Sequence, residues 1–286
     1  MALAPQGGTP PLSDAEMRSW RDLIEKECGI DLDTSKSYLI QSRLSPLLPR
    51  FGLENLSQLY HQALNNRTLI SEIVSAISTH ETSFFRDNAP FELLGNTLIP
   101  RLLESRRSLR IWSAGCSTGQ EPYSLAILCM ELGCVYRKST FSIVATDICA
   151  KSIEAAQNGV FSTFELERGL DDTQIERYFI PDRNGKKVVD TLRSMIEFRR
   201  ADIFDPRVPQ GPFDLVLCRN IAIYFSRAKR AILYQTIGNR LRPAGIVVMG
   251  STESMENTCG IFRMLDTDNQ FVYVRNEEKI LRKPPA

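Results

Sequence analysis

The chain has 286 residues, 43% of them apolar and 24% charged, which excludes a mostly disordered protein. The 35 Lys and Arg residues balance the 34 Asp and Glu residues, so no overall charge attracts nucleic acid and recognition by charge must be local. We therefore expect a folded protein of one large or two modest domains that does not bind nucleic acid.

The cysteines and the hydropathy indicate a reduced compartment. The seven cysteines are scattered without a C-x-x-C pair, so neither a disulfide framework nor a metal site is predicted. The sequence shows no secretory leader, and no apolar run approaches the ~18 residues that a membrane span needs. We expect a cytoplasmic location without membrane insertion. Because there are only two histidines, His61 and His80, chemistry that needs no imidazole is favoured.

The first third of the chain has helical periodicity. Residues 1–12 are rich in Pro and Gly and predict a flexible tail. Residues 13–83 predict a small helical domain, which begins at Ser13 as an N-cap with Glu16 completing a capping box. Three apolar stripes at three-to-four spacing predict its core. They consist of Trp20, Leu23 and Ile24, of Leu56, Leu59, Tyr60 and Leu64, and of Ile70, Ile73, Val74 and Ile77. Residues 84–107 are assigned to a linker and connecting helix.

From residue 108 onward, strand-like and helical segments alternate, which favours a doubly wound α/β domain over residues 108–286. The predicted strands are 109–113, 141–146, 213–218 and 245–250, and the predicted helices are 119–132, 150–157 and 226–240. The alternating run 270–274 predicts an added edge strand. Within the domain, residues 161–200 predict a small antiparallel β insertion. The predicted insertion has a helix at 171–178 and strands at 178–180, 187–191 and 195–199, with Asn184-Gly185 as a hairpin turn.

A glycine turn follows the first strand of this domain, in the segment RIWSAGCSTGQEPYSLAI at 110–127. Gly115 and Gly119 allow close approach of a ligand to the backbone, and phosphates, dinucleotides and S-adenosylmethionine (SAM) all use such turns. A Walker loop would need Lys after Gly119, and a dinucleotide fingerprint would need G-x-G-x-x-G. The carboxylate of Glu121 would repel a pyrophosphate, whereas it suits SAM, which carries an ammonium and a sulfonium group. The turn therefore favours SAM over an NAD(P)-dependent oxidoreductase.

Polar residues follow two further predicted strands. Asp147 ends the second strand, where a carboxylate can accept hydrogen bonds from ribose hydroxyls, although it can also simply cap helix 150–157. Arg219 and Asn220 end the strand at 213–218, with Tyr224 just beyond. The switch-point rule places these residues at a ligand crevice, but Asn220 can equally serve a turn and Tyr224 the core.

Taken together, these segments resemble the chemotaxis receptor methyltransferases, the CheR-type family of bacterial SAM-dependent protein-glutamate O-methyltransferases. Residues 78–87 (STHETSFFRD) look like the family's T-N-E-T-x-F-F-R segment, and 112–124 are similar to its W-S-A-G-C-x-T-G-E-E-P-Y-S motif. Residues 218–225 resemble C-R-N-x-x-I-Y-F, and 241–250 resemble L-x-P-G-G-x-x-x-x-G. The resemblance extends from about residue 13 to about residue 274 in the same order.

The resemblance implies an all-helical N-terminal domain, a doubly wound SAM-binding domain and a small antiparallel β subdomain. It also implies methylation of glutamate side chains of chemoreceptors, with S-adenosylhomocysteine as the product, in chemosensory adaptation. Implied SAM contacts are His80, Thr82, Arg86, Gly115, Glu121 (amino-acid end), Asp147 (ribose), Asp202 and Ile203 (adenine), Arg219 and Asn220. Arg86 and Tyr224 would stand near the methyl group as catalytic residues. No metal is implied.

The implied partner is the helical cytoplasmic domain of a chemoreceptor, bound by a monomeric enzyme. Lys36, Arg43 and Arg50 follow one another at spacing seven, which on a single helix gives one basic face for the receptor or merely a solvated face. The insertion at 161–200 can dock a receptor tail by adding a strand, but an exposed strand without a partner is an equal alternative.

The chain departs from the family pattern at several positions. His80 replaces the usual Asn, Gln120 the first Glu, and Asp202 a common Asn, while 250–254 read GSTES where the family has G-H-S-E. These changes leave open a non-catalytic SAM-binding signalling module. For the enzyme, a glutamate acceptor with a pKa of ~4.3 is already ionised and needs no general base. Arg86 can then hold the acceptor carboxylate, unless it forms a surface ion pair with Asp87 or Glu81.

Overall fold

The computed structural model describes residues 12–33, 37–135, 139–205, 209–255, 260–267 and 270–276. The chain forms two compact units, 1–79 and 80–286, so the boundary in the sequence lies between Thr79 and His80. No helix within the described ranges is long and apolar enough to cross a membrane.

The first unit is helical. It contains α1 (Asp14–Cys28), α2 (Ser37–Leu44), α3 (Leu56–Ala63) and α4 (Arg67–Ile77). The predicted capping box is present at the start of α1, where the side chains of Ser13 and Glu16 each bond the other's backbone N–H. Most of the three apolar stripes are buried, including Trp20, Leu59 and Ile73, because each helix turns its apolar face inward.

The prediction that Lys36, Arg43 and Arg50 share one helical face is wrong for Arg43 and Arg50, and Lys36 lies outside the described residues. The helix α2 ends at Leu44, and two 3₁₀ turns follow, Ser45–Leu47 and Pro49–Phe51. Each turn has a proline in its first positions. Proline lacks a backbone N–H and its ring clashes with the preceding turn, so an α-helix cannot run through this segment.

The second unit alternates helices and strands along the chain. A π-helical turn, Leu94–Leu98, links its first two helices. The elements are α5 (Ala89–Leu93), α6 (Ile99–Ser105), β1 (Ser108–Ala114), α7 (Gln120–Val135), β2 (Thr140–Asp147), α8 (Ala150–Asn158), β3 (Val160–Phe161), α9 (Thr163–Glu167), α10 (Asp172–Tyr178), β4 (Phe179–Asp182), β5 (Gly185–Val188), α11 (Asp190–Arg193), β6 (Ile196–Arg200), β7 (Phe213–Cys218), α12 (Arg227–Arg240), β8 (Leu241–Met249), β9 (Phe262–Met264) and β10 (Val272–Arg275).

A seven-stranded sheet forms the centre of this unit, in the order β6-β2-β1-β7-β8-β10-β9. The pairs from β6 to β8 are all parallel, so their carboxyl ends lie at one edge. The strand β2 lies on one side of β1, and β7 lies on the other side. The direction in which the chain adds strands therefore reverses between β1 and β7, which makes the crevice between them the switch point. Apolar clusters around Ile111 and Trp112 cover opposite faces. The predicted doubly wound α/β class is confirmed.

A second, antiparallel sheet in the order β3-β5-β4 forms the small β subdomain. The predicted β4–β5 hairpin is present, but Asp182 pairs with Gly185, so its two loop residues are Arg183 and Asn184, one position before the predicted Asn184-Gly185 turn. The strand predicted at 195–199 does not belong to it, because β6 pairs in parallel with β2 in the large sheet. The helix α11 intervenes between β5 and β6 and takes the chain back to the large sheet.

The prediction that the last strand lies at the sheet edge is wrong. The strand β10 pairs with β8 on one side and with the short strand β9 on the other, both antiparallel. Alternation in a sequence reports which faces of a strand are covered, and it contains no information about whether another strand pairs with its free side.

Candidate active site

The glycine turn lies at the carboxyl end of β1. The backbone N–H groups of Gly115 and Cys116 both donate to the Thr146 carbonyl, at 2.8 and 3.0 Å, which fastens the turn to the end of β2. Gly115 has φ of +76° and Gly119 of +101°. A Cβ at Gly115 would lie 2.6 Å from Cγ2 of Ile221, so glycine is required by both conformation and space.

Asp147 lies directly across from this turn, half-buried at the end of β2. One carboxylate oxygen accepts from the Ser117 N–H and the other from the Cys149 N–H, each at 2.8 Å. Burial raises the pKa of Asp147, whereas these backbone hydrogen bonds and His80 act to lower it. The Cys149 bond closes a local turn, but the N-cap of α8 is Cys149 and has no side-chain cap bond, so the alternative that Asp147 caps this helix is wrong. A carboxylate has about four lone-pair directions, so Asp147 can still accept from a ligand hydroxyl.

His80 contacts the other side of the turn. Its carbonyl accepts from the Ser117 hydroxyl at 3.0 Å, and its ring Nδ1 lies 3.1 Å from Oγ of Ser152 on α8. His80 therefore joins the glycine turn to α8 and stands close to Asp147. Thr82, also assigned to the SAM site by resemblance, is half-buried two residues further along the chain.

Glu121 occupies the first turn of α7, and its side chain is only 13% exposed. One carboxylate oxygen accepts from the Ser113 hydroxyl at 2.8 Å, and the other from Nη1 of Arg219 at 3.2 Å. Burial raises the pKa of Glu121, while Arg219 and the Ser113 hydrogen bond act in the opposite direction. Glu121 is thus a buried carboxylate with a fixed cationic partner.

Arg219 connects Glu121 to the 84–88 segment. Its Nη2 donates to the Asp87 carboxylate at 2.9 Å and to the Arg86 carbonyl at 2.8 Å, and its guanidinium lies 5.5 Å from the Phe91 ring centre. The Arg219 side chain is 1% exposed, and its Nε is buried without a hydrogen-bond partner in the described part of the chain. Resemblance placed Arg219 beside SAM, and the structure shows its guanidinium bonded to the protein.

The segment that contains Arg86 is strained. Phe85, Asp87 and Asn88 all have positive φ, at +46°, +67° and +40°, which is costly for residues with a Cβ. The Phe85 N–H donates to Oγ of Ser124 at 2.9 Å, and this bond together with Arg219 holds the segment in place. Strain of this kind persists only where the surroundings impose it, and it is concentrated at functional sites.

Arg86 itself has no carboxylate partner among the described residues. Its Nη1 donates to the Glu81 carbonyl at 2.8 Å, while the Glu81 carboxylate pairs with Arg168 and the Asp87 carboxylate with Arg219. The alternative of a surface ion pair with Glu81 or Asp87 is therefore not what the structure shows. A half-buried guanidinium remains able to bind an anionic group.

The loop after β7 contains Asn220, with φ of +58°, and Tyr224 at the end of the 3₁₀ turn Ala222–Tyr224. A residue that sequence reasoning did not assign to the site, Glu253, fixes this loop. The Glu253 side chain accepts from the N–H groups of Asn220 (2.5 Å), Gly250 (2.9 Å) and Ile223 (3.2 Å). The acidic residue of the GSTES segment was the only signal in the sequence.

Asp202 and Ile203 follow β6, beside the end of β2. The Ala201 N–H donates to the Asp147 carbonyl at 2.9 Å, and the Asp202 carboxylate accepts from the Phe204 N–H at 2.9 Å. Parallel pairing of β6 with β2 therefore brings the assigned adenine residues next to the assigned ribose residue.

The basic residues predicted to bind the receptor lie in the other unit. Arg43 donates to the Ile77 carbonyl and, at 3.2 Å, to Oγ1 of Thr79, while Arg50 pairs with Glu72 at 2.9 Å. Both guanidinium groups are thus used within the helical unit.

Removal of the Glu253 carboxylate tests its assigned role. We expect Glu253→Ala to lower the free energy of unfolding by about 2–4 kcal/mol, because three backbone N–H groups lose their acceptor. We expect Glu253→Gln to restore part of that stability, since the amide oxygen can still accept from the Asn220 and Gly250 N–H groups, whereas the amide NH2 cannot accept from Ile223. Urea denaturation measures both. Equal stability of the alanine variant and the unaltered protein would contradict the assignment.

The fold and site together define a class of protein. The doubly wound sheet has a glycine turn after β1 that lacks the phosphate-binding Lys, and the partly buried carboxylates of Glu121 and Asp147 lie beside that turn. This arrangement fits a cationic nucleoside. This arrangement is that of a SAM-dependent methyltransferase, and SAM is its cofactor.

Comparison with known proteins identifies the family. Residues 80–271 match the CheR methyltransferase SAM-binding domain, and residues 15–78 match the CheR methyltransferase all-alpha domain. The chain is 37% identical to chemotaxis protein methyltransferase 1 of Pseudomonas aeruginosa, over 91% of this chain and 98% of the relative. It is 36% identical to the chemotaxis protein methyltransferase of Vibrio parahaemolyticus, over 92% and 97%. The chain belongs to the CheR methyltransferase family, and the resemblance found in the sequence is confirmed.

Proposed function

We propose that this protein methylates the side-chain carboxylates of glutamates in chemoreceptors, in the cytoplasm, during adaptation of chemosensory signalling. The observation that supports this most is Arg86, a permanent cation without a carboxylate partner among the described residues, on a strained segment tied to the SAM-site residues. The names of the relatives, chemotaxis protein methyltransferases, support the same substrate class.

On the cofactor side, bound SAM supplies an electrophilic methyl group. Glu121 would hold the ammonium of its amino-acid end and Asp147 its ribose hydroxyls, because both are acceptors at the carboxyl edge of the sheet. Asp202 and Ile203 would border the adenine, while Gly115, His80, Thr82 and Asn220 would form the walls of the cleft. In this proposal Arg219 acts through the carboxylates of Glu121 and Asp87 and the Arg86 carbonyl.

On the acceptor side, a glutamate with a pKa of ~4.3 is ionised near neutral pH, so the site needs no general base. The protein's task is then to position the carboxylate. Arg86 would orient it by a charge-assisted hydrogen bond, and Tyr224 would line its approach. A single or transient contact suits Arg86, since a tight bidentate pair would reduce the nucleophilicity of the carboxylate.

Transfer of labelled methyl groups tests the proposal. The unaltered enzyme is incubated with radiolabelled SAM and membranes that contain a chemoreceptor. We expect the receptor to acquire label that mild base releases as methanol, as a methyl ester requires, and we expect receptors with the target glutamates changed to alanine to stay unlabelled. Tight SAM binding without transfer to any receptor would instead favour a non-catalytic signalling module.

The raised pKa values of Glu121 and Asp147 predict a pH dependence of SAM binding. Burial raises both pKa values in the ligand-free protein, and a ligand with an ammonium group and hydroxyl donors favours the ionised carboxylates. Binding should therefore lower these pKa values and release protons. Consequently, SAM affinity should fall as the pH drops through these raised pKa values. The fall should begin at a higher pH than it would for carboxylates with ordinary pKa values.

Calorimetry between about pH 5 and pH 8, in buffers of different ionisation enthalpy, measures both the affinity and the protons released. An affinity that is constant across this range would contradict the assignment of these two carboxylates to the SAM site.

A further inference from the structure

A second pocket lies beside the loop that contains Asn220 and Tyr224. It has a volume of about 350 Å³ and is formed by the first turns of α12, the 3₁₀ turn before it and residues 252–254. Its lining includes Ile223, Arg227, Arg230, Tyr234, Thr252 and Glu253. Because α12 follows β7, this pocket lies at the carboxyl edge of the sheet, the edge that also contains the proposed SAM site.

The charges at the start of α12 are unusual. Arg227, Lys229 and Arg230 occupy its first turns, and no acidic residue is present in the first turn. A helix N-terminus is the positive end of the helix dipole, so each cation there is electrostatically unfavourable. The cap at Ser226, which accepts from the Lys229 N–H at 3.4 Å, is neutral and does not offset this charge.

Within the part of the chain that the structure describes, the two arginines of the pocket have no ion-pair partner. Neither Arg227 nor Arg230 has an ion pair or a side-chain hydrogen bond to any described residue, while Lys229 packs 4.9 Å from the Phe204 ring centre. The carboxylate that lines the same pocket, Glu253, is 4% exposed and accepts hydrogen bonds from three backbone N–H groups. The pocket therefore combines a concave shape with an unbalanced positive charge.

We propose that this pocket binds an acidic side chain of the methyl-accepting protein, close to the target glutamate, so that Arg227 and Arg230 help to select the acceptor. The inference rests on the proposed function, since it requires a protein acceptor. The position supports it: the pocket is lined by Ala222 and Ile223, which immediately precede Tyr224 in the same 3₁₀ turn. The pocket is therefore adjacent to the position proposed for the acceptor glutamate.

Shape and charge favour an acidic protein segment over an anionic lipid surface. A pocket of this volume accommodates an inserted side chain, whereas a membrane surface needs a flat or convex patch. Guanidinium groups bind carboxylates through paired N–H donors, which gives geometric selectivity as well as attraction. Ile223, which is 48% exposed, adds an apolar contact next to the two arginines.

The test compares charge-reversed variants of the full chain with a soluble receptor fragment as the acceptor. We expect Arg227→Glu combined with Arg230→Glu to raise the KM for the fragment about tenfold or more, with kcat and SAM affinity within about twofold of the unaltered enzyme. The thermal stability should stay the same or rise, because acidic residues suit a helix start. A loss of stability would overturn the argument from unbalanced charge.

The single variants Arg227→Glu and Arg230→Glu should each raise the KM as well, and their matched control is Arg101→Glu, which makes the same change of charge. Arg101 is exposed on α6, a helix that ends just before the amino end of β1, at the opposite edge of the sheet. We expect the KM of this control to be unchanged, and salt to raise the KM of the unaltered enzyme more than that of the double variant.

Two results would overturn this inference and leave the proposed function intact. They are an unchanged KM in an active double variant, or an increase in KM for Arg101→Glu as large as that for the pocket variants. If the double variant lost only its sedimentation with vesicles containing anionic lipid, and kept its KM for the soluble fragment, the pocket would be a lipid site and the inference would be wrong. If the unaltered enzyme methylated no receptor fragment, the proposed function would fail, and this inference with it.

Discussion

Replacement of Arg219 by methionine should lower the free energy of unfolding by about 3–5 kcal/mol and abolish measurable SAM binding. The Arg219 guanidinium contacts two carboxylates, Glu121 and Asp87, and the Arg86 carbonyl. Without it, Glu121 would remain as a buried charge without a partner, and the strained 85–88 segment would lose its anchor. Urea denaturation and calorimetry with SAM measure the two effects.

The loss of stability should depend on pH with a definite sign. The pKa of Glu121 is already raised by burial, and removal of its cationic partner must raise it further. A buried acid with a raised pKa destabilises the folded state as the pH rises, because the folded state must give up a proton that it binds more tightly than the unfolded state does. The Arg219→Met variant should therefore be less destabilised near pH 5 than near pH 8.

A double variant separates the effect of the unpaired Glu121 charge from the effect of losing the contacts between Arg219 and the 85–88 segment. In Arg219→Met combined with Glu121→Gln, the uncompensated charge is absent, so part of the stability should return. SAM binding should stay lost, since no carboxylate remains at position 121. If Arg219→Met were as stable as the unaltered protein at neutral pH, the idea that the ion pairs of Arg219 stabilise the folded state would be wrong.

The variant Arg86→Ala should strongly reduce turnover while it changes the affinity for SAM only slightly. We expect kcat to fall about 100-fold or more, the usual effect of removing one preorganised electrostatic contact to the reacting group, with the SAM dissociation constant within about threefold. The Arg86 backbone carbonyl, to which Arg219 donates, is unaffected by this change. Steady-state kinetics with a receptor fragment and calorimetry with SAM provide both numbers.

Two further variants control for non-specific effects at Arg86. Arg86→Lys keeps the charge but loses the planar fork, so an intermediate kcat is expected. Arg168→Ala removes another arginine of the same neighbourhood, which forms an exposed ion pair with Glu81, and should change kcat little because such pairs contribute about 0–1 kcal/mol. If Arg86→Ala weakened SAM binding as much as turnover, its assignment to the acceptor would be wrong.

The sequence was sufficient to predict the central fold because its signals are local. Five of the strands of the large sheet could be located from short apolar runs, although β6 was assigned to the insertion. The glycine turn and Asp147 could be placed at one edge of the sheet, because parallel strands bring their carboxyl ends together. Even the β4–β5 hairpin follows from two adjacent residues, Asn184 and Gly185, although its loop lies one position earlier.

What could not be predicted depends on contacts between distant parts of the chain. Arg219 contacts Asp87, 132 residues earlier in the chain, and Glu121, 98 residues earlier. No periodic pattern in the sequence indicates a contact between residues so far apart. Glu253 contacts Asn220 across 33 positions for the same reason. The error at Arg43 and Arg50 had a different origin, because Pro46 and Pro49 already forbid the continuous helix that the spacing of seven assumed.

The sharing of Arg219 between Glu121 and the 86–87 segment has a consequence for protein engineering. In the proposed function, one guanidinium contributes to both the cofactor end and the acceptor end of the cleft, so the two ends are not independent modules. An attempt to accept a new substrate by changing Asp87 would also alter the environment of Glu121. Redesign of acceptor preference is therefore better directed at residues that Arg219 does not contact, where a change of specificity need not weaken SAM binding.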